Sequence, residues 1–377
     1  MFSKDNKENN TKDEKKKSVF VRVLKWLCIG IISLIILVVL TIFIVRSIGR
    51  AIYNKTPEGG INESMYIDIN NSKQWISIYG QDKNNPVILY LHGGPGDPSS
   101  PIDYRYVRKW ADVFTVVTWD QRNCGLSYSD DQNNTPLTYD LFMKDGIEMT
   151  RYIMNYLHKD KITLIGHSWG TYYGCHLIMN YPEYYNYYIG TGQLIDIHQN
   201  ELAFVEVAKE WVKGNKEDEK LVAKLNPNKL DDEYYAINYE LLKKYGYDYY
   251  SDKSDYSRFG AYFFNPHHSL LSVYNYHHGN VNDSVYKKFR ASPEFDKFSL
   301  LNKTEYAIPY YNINGKRDYI TNHVLAEEYF NIVKAPRKKL YTMDTGHGLL
   351  EMHSGEFSDI VHEIVKLEQT NTTIASN

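Results

Sequence analysis

The chain has 377 residues, enough for one catalytic domain carrying an insertion or for two modest domains. Its 43% hydrophobic and 24% charged residues exclude a mostly disordered or collagen-like protein, and a formal net charge of -3 offers no basic field for nucleic acid. The 35 tyrosines accompany abundant Asn, Lys and Ile and read as coding bias, so no function is assigned to them.

Residues 1–25 form a basic tail, and residues 1–17, charged and poor in apolar side chains, are expected to be disordered. Residues 26–45, WLCIGIISLIILVVLTIFIV, are without charge and match about 30 Å of hydrocarbon at 1.5 Å per residue, so a single membrane-spanning helix in contact with lipid is expected. Lys15, Lys16, Lys17, Arg22 and Lys25 precede it, whereas only Arg46, Arg50 and Lys55 follow closely, which puts the N-terminus in the cytoplasm and the remainder outside. The run is too long for a signal-peptide core, and no small-residue cleavage site follows it.

After a linker over 46–64, an α/β domain is expected at 65–194 and 304–367, interrupted by a helical cap at 195–303. An opening hairpin is placed at 65–79. Strands follow at 86–93, 114–120, 161–167, 187–194, 308–315 and 338–344; several are apolar without alternation, as buried parallel strands are. Helical periodicity marks 139–158, 169–180, 199–213, 231–245 and a final stretch 349–367, leaving 368–377 as a flexible tail.

Gly166-His167-Ser168-Trp169-Gly170 matches G-x-S-x-G between a strand and a helix, the context in which a tight turn lifts a serine hydroxyl out of a sheet. A serine needs a base to take its proton, and the base needs an acid to fix its tautomer. Asp318, after the strand ending at Gly315, and His347, in Gly346-His347-Gly348, supply these in the order Ser, Asp, His; Asp344 is a weaker alternative acid because it shares the strand with the histidine. His92-Gly93-Gly94-Pro95-Gly96 ends the 86–93 strand, where backbone amides can face a substrate oxyanion; Gly94 and Trp169 are assigned that role, with Gly93 as a substitute. No cofactor is implied.

The segments HGGPG, WDQRNCGLS and GHSWG, in this order, resemble those of the proline iminopeptidase family of α/β-hydrolases, over roughly residues 65–365. The resemblance implies an aminopeptidase that removes an N-terminal residue, often proline, from a short peptide and holds the free amine with acidic side chains in the cap. His167 and Asn123 depart from the family pattern, each standing where glycine is usual. Glu201 is the expected amine-binding residue, ahead of Asp196 and Glu206; a solvated helix face would explain all three equally. An esterase or lactonase acting on a small ester is the alternative within the class, and a catalytically silent binding module the alternative outside it. His267-His268 and His277-His278 invite a metal, but they lack neighbouring cysteines or an H-E-x-x-H pattern and are read as packing or surface positions. Cys28 lies in the apolar run, and Cys124 and Cys175 are expected to be free buried thiols.

Overall fold

The computed structural model describes residues 2–278 and 281–376. The chain divides into two units, Met1–Asn54 and Lys55–Asn377. The first is one helix, α1 (Phe2–Tyr53), whose stretch Lys17–Tyr53 is long and apolar enough to cross a membrane. The helix begins at Phe2, so the segment expected to be disordered is helical.

The second unit is built on one eight-stranded sheet: β1 (Ile61–Ile69), β2 (Ser72–Gly80), β3 (Val87–Leu91), β4 (Thr115–Asp120), β5 (Ile162–His167), β6 (Tyr185–Thr191), β7 (Tyr310–Gly315) and β8 (Lys338–Met343). The order is β1-β2-β4-β3-β5-β6-β7-β8; β1 and β2 form the antiparallel hairpin, β2 is antiparallel to β4, and β3 to β8 are parallel. Both faces of the sheet are covered, which is why the central strands lack polar alternation. Along β3, Val87, Leu89 and Leu91 enter one core and Ile88 and Tyr90 the other, following the two-residue period of a strand. Helices α2 (Tyr139–Tyr156) and α3 (Trp169–Asn180) lie where periodicity put them, and α2 starts at Thr138, whose side chain accepts the Leu141 N–H.

Between β6 and β7 the chain carries the cap: α4 (Ile197–Trp211), α5 (Lys216–Val222), α6 (Asp232–Tyr245), α7 (Arg258–Phe264), α8 (Leu270–His278), α9 (Val281–Arg290) and α10 (Pro293–Asp296). Phe204, Ala208, Val222, Tyr234 and Leu241 give it a core of its own. After β7 come α11 (His323–Ile332), α12 (Leu349–Met352) and α13 (Ser354–Ser376).

The single C-terminal helix expected at 349–367 is two, broken at His353. Asp255 of the cap accepts from Ser354 Oγ at 2.7 Å and from the Gly355 N–H at 3.0 Å, and its own N–H donates to the Met352 carbonyl at 3.0 Å, so it ends one helix and opens the next. The expected flexible tail from 368 is also helical: Glu368 is buried and accepts from Arg337 Nε at 3.0 Å and from the Tyr311 hydroxyl.

Candidate active site

The elbow follows from what a side chain would meet. Ser168 closes β5 at φ 54°, ψ -121°, a conformation that L residues rarely adopt and that is held only by dense surroundings. A Cβ on Gly166 would run into the Gly170 carbonyl, and one on Gly170 into the Leu91 carbonyl, so strand and helix pack backbone to backbone around the serine. The hydroxyl is thereby presented at the carboxyl end of the sheet, at the mouth of α3.

Asp318 and His347 arrive on the loops after β7 and β8. His347 Nδ1 lies 2.7 Å from Asp318 Oδ2. The carboxylate is itself pinned: Oδ1 accepts the N–H groups of Ile320 at 3.0 Å and Thr321 at 2.9 Å, and Oδ2 accepts the Thr321 hydroxyl at 2.9 Å. Both residues are buried, and His347 lines the same cavity as Ser168. Gly192, at φ 57°, backs the imidazole, and a Cβ there would lie 3.0 Å from the ring. Such a grouping can draw a proton from a hydroxyl and stabilise the imidazolium that results. Asp344, the weaker alternative, is instead exposed near Arg317.

The glycine-rich turn is held by a histidine that must stay neutral. His92 Nε2 lies 3.1 Å from the Gln121 N–H, which donates to it, so Nδ1 carries the proton and donates to the Gly93 carbonyl at 2.8 Å. Burial pushes the His92 imidazole down to about 4, in keeping with that tautomer. The Gly93 carbonyl and the Gly94 N–H belong to one planar peptide, so fixing the first toward His92 turns the second away from it. Gly94 lines the cavities on both sides of Ser168, whereas a Cβ on Gly93 would come within 3.4 Å of Ser168 Cβ.

Trp169 sits fully buried among Phe142, Tyr173, Phe289, Phe295 and Phe298, with its indole N–H on Gln121 Oε1 at 3.0 Å. The remaining residues of WDQR are scaffold. Arg122 grips buried Asp145 through Nε and a terminal nitrogen at 2.7 and 2.8 Å, and Asp120 accepts from Ser100 Oγ and the Leu126 N–H. Asn123 stands at φ 58°, which asparagine tolerates in place of glycine. His167, the other departure, lays its ring 4.7 Å from that of His347, and burial holds its imidazole well below the ordinary range.

Two arms of a cavity meet at Gly94, Ser168 and Ile320. The smaller, about 120 Å³, contains Glu201, Tyr235, Asn238 and Arg290. Glu201 is buried; its carboxylate accepts from Tyr234 at 2.9 Å and Asn238 at 3.3 Å and pairs with Arg290 at 3.2 Å. Burial pushes its carboxyl up, opposed by the guanidinium. The other two cap candidates are elsewhere: Asp196 caps α4 through the Gln199 N–H, and Glu206 is exposed beside Lys209.

The larger arm, about 260 Å³, contains His347, Asp97, Glu351, Arg258 and a wall of tyrosines including Tyr249, Tyr250 and Tyr276. None of these except His347 was singled out from the sequence. Asp97 directly follows HGGPG and Glu351 stands four residues after His347, so proximity to the motifs was the available signal; Tyr249, Tyr250, Tyr276 and Arg258 come from the cap and had none.

His268 lies within 2.8 Å of both Ser100 Oγ and Ser272 Oγ, and His267 packs edge-on to Trp75. The side chains of His277 and His278 lie outside the described residues, among which no group of three metal-ligating side chains occurs. Cys124 and Cys175 are buried free thiols.

The family model of the alpha/beta hydrolase fold matches residues 86–224. Over 290 residues the chain is 27% identical to the Bacillus subtilis protein named Probable aminopeptidase YbaC, covering 74% of this chain and 88% of that protein. It is 34% identical over 111 residues to the proline iminopeptidase of Neisseria gonorrhoeae, spanning 28% of this chain and 33% of that enzyme. The crystal structure of proline iminopeptidase from Mycobacterium smegmatis shares the fold with a TM-score of 0.57 at 14% identity, over 82% of this chain and 100% of that one. The chain is a hydrolase of the α/β-hydrolase fold, related to the proline iminopeptidases and to an aminopeptidase-like protein.

Proposed function

We propose that the protein is a membrane-anchored serine aminopeptidase of the proline iminopeptidase type, acting on short peptides with a free N-terminus. The observation that carries this reading is the pinned Asp318–His347 pair opening on the same cavity as the strained Ser168. His347 removes the Ser168 proton as the hydroxyl attacks the carbonyl carbon, and Asp318 stabilises the imidazolium. The amides of Gly94 and Trp169 hold the oxyanion. As the carbon–nitrogen bond breaks, His347 returns the proton to the departing amine, and it then activates water against the acyl-enzyme.

Glu201 is the amine-binding group of this reading, since it is the carboxylate of the smaller arm, which has room for one small residue. Its pairing with Arg290 also favours a second reading, an esterase or lactonase, because that arm then offers an ammonium no bare anion. Helix α1 anchors the chain with its basic end in the cytoplasm and the hydrolase outside.

The deciding experiment compares proline and alanine arylamides with short acyl esters, using the full chain in detergent and Ser168→Ala as control. Arylamide cleavage abolished by acetylating the substrate amine is expected; ester cleavage alone would replace the peptidase with an esterase. Resistance of the chain to alkaline extraction from membranes, with digestion of the hydrolase by protease added to intact cells, is expected from the anchoring; a soluble or shielded hydrolase would contradict it.

A further inference from the structure

The two arms are not equivalent with respect to proton delivery. Gly94 and Ser168 line both, but His347 lines only the larger one. In acyl transfer the base that takes the serine proton hands it to the departing atom, so the leaving group lies on the histidine side. The acyl residue then occupies the smaller arm with Glu201, and whatever follows the scissile bond occupies the tyrosine-walled arm.

The ionisable groups of that arm are unbalanced. Glu351 is buried and held by Arg258 at 3.1 Å and by the Tyr249 hydroxyl at 3.0 Å, and the same guanidinium lies 4.2 Å over the Tyr250 ring. Arg258 is paired with one carboxylate, lies over one ring and donates to the Tyr262 hydroxyl at 3.5 Å, and it makes no ion pair with Asp97. Asp97 has a hydrogen bond from the Tyr276 hydroxyl at 2.8 Å and, among the described residues, no ion pair. It is exposed to the cavity, a few residues from the oxyanion turn. Burial pushes the Asp97 carboxyl up, opposed by the Tyr276 hydroxyl and the Arg258 guanidinium; when both carboxyls are ionised, the arm sets two carboxylates against one guanidinium, and an incoming cation favours that ionised form. The surrounding tyrosine faces add attraction for a cation and none for an anion.

We propose that Asp97 is a specificity-determining residue that selects a lysine or arginine side chain on the residue immediately after the scissile bond. This rests on the aminopeptidase reading. A carboxylate presented on a rigid turn and already oriented by one hydroxyl pairs with an incoming ammonium or guanidinium without reorganising, whereas an acidic side chain meets like charge.

The test uses the full chain in detergent and measures kcat/KM for alanyl-arginine amide, alanyl-norleucine amide and alanyl-glutamate amide, beside an alanine arylamide whose leaving group is neutral. Arginine is expected to exceed glutamate by at least about tenfold, with norleucine between. Asp97→Asn should bring the three within about twofold, and Tyr276→Phe, which keeps the charge and removes the hydroxyl that orients it, should lower the arginine preference by about two- to threefold. Arylamide cleavage with equal rates for the three dipeptide amides would overturn this assignment and leave the aminopeptidase standing, as would a preference that survives Asp97→Asn. Failure to cleave any amide while esters are cleaved would overturn both.

Discussion

The sheet end and the cap hold their functional groups by different means. At the sheet end, backbone does the holding: Ser168 is fixed by glycines that allow peptide-to-peptide contact, and Asp318 by two N–H groups. In the cap, side chains hold side chains, as Tyr234, Asn238 and Arg290 hold Glu201. The first arrangement fixes a reaction geometry within narrow limits; the second can be altered one residue at a time without disturbing the chain path. On the proposed function, the reacting geometry is thus the constrained part of the molecule and selectivity the adjustable part.

The largest test of that contrast is Ser168→Ala, expected to lower kcat by at least about 10⁴-fold with little change in thermal stability, measured on whichever substrate the enzyme cleaves best. Next, Arg122→Ala removes one partner of a buried pair on the scaffold and is expected to cost about 3–5 kcal/mol in a denaturant titration, more than any single substitution on the cap surface. Gly192→Ala places a methyl against His347 at a positive φ and should cut kcat by about 10²-fold while KM stays near its wild-type value. In the cap, Glu201→Gln is expected to raise KM about tenfold for substrates with a free amine and to leave amine-blocked esters unaffected; an equal loss on both would make Glu201 part of the packing only.

The last test is a pH slope. Burial raises the Asp120 carboxyl from its ordinary 3.8 to about 7, so the folded state holds a proton that the unfolded state has lost, and stability declines as pH rises through that interval. Buried His92, lowered from 6.5 to about 4, acts in the opposite sense: the unfolded state gains a proton first, and stability declines as pH falls. Asp120→Asn removes the first slope, so its melting temperature should fall more steeply than that of the wild type between pH 6.5 and 4. Parallel curves would show that Asp120 ionises normally.

The contrast also explains what could be read from sequence. β3, β5 and β7 announce themselves because both faces are buried, and the elbow because only glycine fits at Gly166 and Gly170. The local pattern carries the constraint in each case. Asp97, Arg258, Tyr249 and Tyr276 acquire their meaning from packing between segments far apart in the chain, which no local pattern encodes. The break in the C-terminal helix is hidden from sequence for the same reason: at His353 it is imposed by Asp255, about a hundred residues upstream. Glu368, whose partners Arg337 and Tyr311 lie on other segments, looked like tail.

Gln121 joins the two segments that the proposed function assigns to the oxyanion. Its backbone N–H meets His92, which orients the Gly93–Gly94 peptide, and its side-chain oxygen meets the indole of Trp169. On the proposed function, one residue thus braces, through its backbone and its side chain separately, the two segments that carry the oxyanion donors, about 75 residues apart in the chain. Shortening that side chain would remove the support under the indole and leave the backbone N–H on His92 in place, so the two segments can be loosened independently.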